Sequence, residues 1–132
     1  MPKAYTGYFH KASIQQKRSA VTSECVMVKK KVLDEVSGLG DFKTLEFLLL
    51  DFCFKLKKLN YSIAYEPFVE LYFHGSKEED LGRTVRKDAA WEKEWLVFKE
   101  QHREILQAPD PYYNINLTLT KGNYSLKNEK FD

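Results

Sequence analysis

A mixed fold of helices and strands, α/β or α+β, is what this sequence predicts, and three observations carry the prediction. Its 132 residues suit one domain, with roughly two thirds of the unfolded chain's surface buried on folding. Hydrophobic residues make up 43% and charged residues 30%, a globular balance that excludes a disordered tail, a coiled coil or a collagen-like rod. Short β-branched and aromatic runs alternate with segments of helical period, without internal repeats.

Taken in order, residues 1–18 are polar and aromatic without clear period and are read as an irregular lead-in. Ala20 to Val28 ends in the apolar run Cys25-Val26-Met27-Val28, the pattern of a buried strand. Lys30 to Ser37 is read as a short helix with Val32, Leu33 and Val36 on one face, stopped by Gly38. A second helix is expected from Thr44, as N-cap, to about Leu59, with Asn60 ending it. Its apolar residues occupy most of the circumference, so it is expected to be buried on nearly all sides.

Tyr61–Tyr65 is strand-like, Pro67 breaks it, and Phe68–Phe73 is read as a further short strand. Ser76 to Arg83 is a charged loop. Trp91, Trp95, Phe98, His102 and Ile105 fall at spacings of four and three, which predicts an amphipathic helix from Asp88 to Gln107. Pro109 and Pro111 forbid its continuation, and residues 108–132 are read as an extended C-terminal segment of the same single domain, 1–132.

Lys and Arg number 21 against 19 Asp and Glu, a balance too even to imply a polyanion, so nucleic acid is not expected as a partner. Two cysteines, Cys25 and Cys53, both lie in apolar surroundings and are expected to be buried, reduced thiols of an intracellular chain. The first residues have no apolar core of a signal peptide, and Phe47–Leu50 is far too short to span a bilayer. No phosphate-binding glycine loop, nucleophile elbow or zinc spacing is present.

What remains for chemistry is a few polar residues at the ends of apolar elements. Asp51 sits between Leu48-Leu49-Leu50 and Phe52-Cys53-Phe54, and a carboxylate there is costly unless it is paired or borders a cleft. It is read either as an ion pair with Lys55 or a solvated group, or as a catalytic or binding carboxylate. His74 follows the apolar run Leu71-Tyr72-Phe73, His102 is read as a core or boundary histidine, and Asp110 to Asn114 form a polar, aromatic segment.

These residues resemble the family-two, GT-A-type glycosyltransferases of the rhamnosyl and O-antigen group. Four blocks carry the resemblance in the right order over nearly the whole chain: Ser19-Ala20-Val21-Thr22 with Cys25 and the approach to Gly38-Leu39-Gly40-Asp41; Asp51 to Leu56 followed by Leu59 to Pro67; Glu70-Leu71-Tyr72-Phe73-His74-Gly75-Ser76; and Asp110 to Leu117. The resemblance implies transfer of a sugar from a nucleotide-sugar donor to a glycan acceptor, aided by a divalent metal, Mn or Mg. It places His74 as a metal ligand, Asp51 at the end of the motif that carries the catalytic base, and Thr22, Tyr72, Ser76, Tyr112, Tyr113 and Asn114 on the acceptor side.

The departures are as informative. None of the aspartates forms an Asp-x-Asp pair, and the family's base position falls on Leu49, beside Leu48. Glu46, about one helical turn upstream of Leu49, is the substitute base the sequence offers. The blocks present belong to the C-terminal part of the enzyme, so a partial GT-A-like sheet flanked by helices is expected, without the nucleotide-binding half. Such a chain is expected not to bind the metal or transfer sugar alone. It is the acceptor-side portion of a transferase, partnered by the missing half, a degenerate binder of a glycan or a protein, or a structural interaction module that keeps only the fold. An uncovered apolar face and strand edge predict a homodimer or a tighter rearranged packing, and the expected location is the cytoplasm, at the inner face of the membrane.

Overall fold

The computed structural model describes residues 6–72, 74, 89–121 and 123–127. A 3-10 turn at Tyr8–Ser13 leads into β1 (Gln16–Arg18). Then come α1 (Lys30–Glu35), α2 (Leu45–Lys58), β2 (Ile63–Tyr65), α3 (Ala89–Gln101) and α4 (Arg103–Gln107). β1 and β2 form a two-stranded antiparallel sheet with Gln16 opposite Tyr65 and Arg18 opposite Ile63. Helices beside a small antiparallel sheet give a mixed fold, as the pattern of the sequence predicts.

α2 is the centre. Leu49, Phe52, Cys53 and Leu56 gather Val36 and the flanking Ala20, Val21, Val28, Val32, Leu33 and Ile63 into one apolar cluster. Phe47 and Phe54 face the other way and join Phe98, with Phe42, Leu50, Trp91, Trp95 and Ile105 around them. Residues two apart on a helix point roughly 200° from one another, so Phe52 and Phe54 serve two cores on opposite sides. That is why the helix is apolar almost all round.

Both ends of α2 are tied. At the C-terminus Asn60 takes the left-handed conformation (φ 60), while its N–H reaches Lys57 O at 3.0 Å and that of Tyr61 reaches Leu56 O at 2.9 Å. This pair of bonds is a Schellman stop. The same device ends α1, with Ser37 left-handed (φ 61) and Gly38 N–H bonded to Leu33 O at 2.9 Å.

At the N-terminus Thr44 stands at the N-cap, as expected, but its side chain makes no capping bond. Instead the Glu94 carboxylate of α3 accepts the backbone N–H groups of Lys43 and Thr44, at 2.7 and 2.9 Å. An anion on free N–H groups at a helix start is favourable, and the Thr44 hydroxyl, followed by these backbone N–H groups, holds the Glu94 carboxyl below its ordinary pKa. The stabilisation is therefore present above the unfolded-state pKa and is lost as pH falls through the lower folded-state value. Comparing thermal midpoints of the wild type and Glu94→Gln from neutral pH downward should show a deficit at pH 7 that closes in acid; a deficit independent of pH would remove the charge from the cap.

Four expectations need correction. Ala20–Val28 is not a strand: it turns at Ser23–Glu24 and packs Ala20, Val21 and Val28 sideways onto α2, since no described strand runs alongside to complete a ladder. Phe68 to Tyr72 is likewise not strand but exposed chain, and Phe73 and the loop from Ser76 to Arg83 lie outside the described residues. The lead-in is less irregular than expected, because polar Gln16–Arg18 pairs with β2. The C-terminal segment folds back on itself, with Thr118 N–H to Ser125 O at 2.9 Å and Lys127 N–H to Asn116 O at 2.8 Å.

The long amphipathic helix is present with its stripe as predicted, but breaks at His102 into α3 and α4. Asp88, its expected first residue, lies outside the described residues. Among the described residues no helix is long and apolar enough to cross a membrane.

Candidate functional site

Asp51 lies midway along α2 and is 1% exposed. Its Oδ2 accepts from the Lys55 ammonium at 2.8 Å, one turn on, and its Oδ1 accepts from His102 Nε2 at 2.8 Å. The helix pair with Lys55 is thus formed, while the solvated alternative is not. His102 is itself 2% exposed, held edge-on to Phe54 at 5.1 Å and tilted against Phe98 at 4.8 Å. Its other ring nitrogen, Nδ1, has no hydrogen-bond partner among the described residues. The break between α3 and α4 at His102 (φ −116) lies at the point where the ring meets Asp51.

Asp51 and Lys55 form one wall of a cavity of about 310 Å³ whose other polar lining comes from Asp41, Lys93, Glu94 and Gln101. Two helices and the Gly40–Phe42 turn therefore converge on one buried carboxylate. Gly40 closes over it: a Cβ there would lie 2.6 Å from Asp51 Oδ2 and 3.1 Å from Lys55 Nζ, on a backbone with φ +102. Steric overlap and left-handed strain act together, so Gly40→Ala should destabilise the fold by about 2 kcal/mol or more, readable as a lower urea midpoint. An unchanged midpoint would mean that the turn does not hold this approach.

The remaining predicted residues are dispersed. Glu46 is exposed on the first turn of α2; five residues from Asp51, it points about 140° away around the helix, and it does not line the Asp51 cavity. Tyr113 and Asn114 border a separate cavity of about 510 Å³ with Ser19, Lys57, Asp110 and Lys127. There Asp110 accepts from Ser19 Oγ at 2.6 Å and from Tyr112 N–H at 2.9 Å, and Tyr113 donates to Thr118 O at 2.8 Å. Thr22 and Tyr112 are exposed, Tyr72 and His74 lie on the exposed chain after β2, and Ser76 is outside the described residues.

Among the described residues no group of three or more His, Cys, Asp or Glu side chains is placed to hold a metal ion. Exposed His74 has no such cluster around it among the described residues, which do not fit the metal that the resemblance implies.

His102 was legible as a buried residue but not as the partner of Asp51. A signal existed: Asp51 in the apolar α2 and His102 on the apolar stripe of the amphipathic segment are each a polar residue on a face expected to be hidden, and buried polar groups need each other.

No protein family and no solved structure matches the chain. It is similar to the uncharacterized protein y4gI of Sinorhizobium fredii (strain NBRC 101917 / NGR234), with 30% identity over 131 residues, which is 98% of this chain and 14% of that protein. The chain thus spans about a seventh of this relative's length.

Proposed function

We propose that the chain is the acceptor-side portion of a glycosyltransferase-like protein, which would move a sugar from a nucleotide-sugar donor to a glycan acceptor and is inactive alone. The observation that carries this reading is the Asp51 cavity: a buried carboxylate beside amide, ammonium and carboxylate groups suits recognition of sugar hydroxyls, which both donate and accept hydrogen bonds. In this reading Asp51 is the site carboxylate, and its donors, Lys55, His102 and the Gln101 amide, fix its orientation. Donor and divalent metal would be held by a further half, and a relative far longer than this chain is compatible with that division. Glu46 and His74 act only if that half reaches them. The setting would be cytoplasmic, at the inner face of the membrane.

NMR titration with a panel of short bacterial-type oligosaccharides tests it. Shifts centred on Lys93, Gln101 and Asp51, lost in Asp51→Asn, are expected; an unresponsive cavity across the panel sinks the acceptor reading. Calorimetry with nucleotide-sugars and Mn²⁺ should show no binding, and tight binding would contradict the missing donor side.

A second reading, a non-catalytic glycan- or protein-binding module, is favoured by one observation. Leu49, at the family's base position, is buried in the apolar core, so no proton acceptor stands there. Joining the missing half in trans and assaying sugar transfer separates the two.

The homodimer belongs to the same proposal. Phe68, Val69, Leu71 and Tyr72 are 80, 59, 67 and 85% exposed, next to a two-stranded sheet with unpaired edges among the described residues, and such surface favours association. A strictly monomeric mass in light scattering at high concentration would count against it.

A further inference from the structure

The two thiols, both expected to be buried, differ: Cys25 is exposed and Cys53 is buried on α2. Both border one cavity of about 350 Å³, together with Val21, Val28 and Phe52. Cys25, Val26, Val28 and Phe52 also border a second cavity of about 470 Å³ on the neighbouring side. The 20–29 connector therefore borders open space in two cavities and is not part of a strand ladder.

The connector is already tethered to the buried sulfur. Val21 N–H donates to Cys53, and burial pushes the Cys53 thiol pKa up. Four residues of chain span at most about 14 Å when fully extended, and the turn at Ser23–Glu24 shortens the path further. Cys25 is thus tethered to the Val21 that bonds Cys53, and it borders the same cavity as Cys53. A disulfide needs Cα atoms about 4.4–6.8 Å apart, a separation within the reach of that tether.

We propose that Cys25 and Cys53 are a reversible dithiol pair, oxidised by peroxides to an intramolecular disulfide that clamps the 20–29 connector onto α2. The Cys25 thiolate attacks the peroxide: an S–O bond forms, the O–O bond breaks, and the departing hydroxide or alkoxide takes up a proton. Cys25 is oxidised by two electrons to a sulfenic acid and the peroxide is reduced. Cys53 sulfur then attacks Cys25 sulfur, forming S–S and breaking S–O, and water leaves with the thiol proton. A dithiol reductant reverses the step by exchange. Exposure makes Cys25 the entry point, whereas buried Cys53 resolves. Thr22 lies on the same connector and would be fixed with it.

The test is graded hydrogen peroxide on the reduced, folded chain, followed by alkylation in denaturant, intact mass and non-reducing peptide mapping. The expected product is a species short of two hydrogens, with a Cys25–Cys53-linked peptide and neither thiol alkylated, restored by dithiothreitol. Accumulation of Cys25 sulfinic acid, or of a Cys25–Cys25 dimer, with Cys53 still alkylatable would overturn the proposal. In Cys53→Ser, Cys25 should run on to those products instead. Because that variant alters the core, wild-type chain oxidised in denaturant is the second comparison: native packing should raise the yield of the link at least about tenfold, and an equal or higher yield in denaturant overturns the proposal.

Discussion

Asp51→Ala is expected to lower the unfolding free energy by about 3–5 kcal/mol, the cost of breaking a buried ion pair from one side. The carboxylate is the acceptor for both His102 Nε2 and Lys55 Nζ, and its removal leaves a ring N–H in a pocket walled by Phe54 and Phe98. At this chain length the loss corresponds to a fall of roughly 10–20 °C in thermal midpoint. Asp51→Asn keeps one acceptor oxygen but turns an amide donor toward another donor, so it should lose less, about 1–3 kcal/mol. Asp51→Leu combined with His102→Leu should recover part of the loss, because apolar replacement of a whole buried pair is often neutral. A loss below about 1 kcal/mol in Asp51→Ala would show a solvated carboxylate rather than a buried one.

Stability and binding are separable at this residue. A carboxylate that only anchors α2 to α3 predicts that Asp51→Asn, if folded, leaves any glycan titration unchanged. One that also meets a ligand predicts loss of binding in a folded variant.

Phe98→Ala should cost a similar amount, about 3–5 kcal/mol. The ring is 1% exposed and lies between 4.8 and 6.1 Å from the ring centres of Phe42, Phe47, Phe54, Trp95 and His102. Truncation removes the piece that joins α3 to α2 and leaves a void that surrounding helices cannot easily fill. Phe98→Leu keeps much of the volume and should cost about 1–2 kcal/mol. The chain has two tryptophans, and both flank this cluster, so fluorescence reports it: a red-shifted emission should accompany the lower midpoint in Phe98→Ala. Wild-type emission and midpoint would mean that the two helices are held elsewhere.

The helices were legible because their signals are local. The apolar residues around α2, Asn60 beyond it, and the 91–95–98–102–105 stripe are each read from spacing alone; the first two appear where expected, and the stripe does so across a break at His102. The strands were less so. Ile63–Tyr65 carries an apolar, β-branched signal, but its partner Gln16–Arg18 has none, and Ala20–Val28 has the signal without a partner. Strand formation is a property of pairs, and one sequence segment shows only half of a pair.

For the candidate site, the apolar neighbours of Asp51 marked it as a carboxylate needing a partner or a cleft, and the Lys55 pairing was one reading offered by helical spacing. The contacts with His102, 51 residues away, and between Glu94 and the start of α2, 50 residues away, did not. By itself the sequence determined which helix faces must be hidden, since a period of 3.6 sorts apolar from polar side chains wherever the helix is placed. Only the tertiary structure decided which hidden polar groups meet, and that one cysteine stays exposed while the other is buried, because those outcomes depend on how α2, α3 and the connector pack, and no local period encodes a contact between residues so far apart.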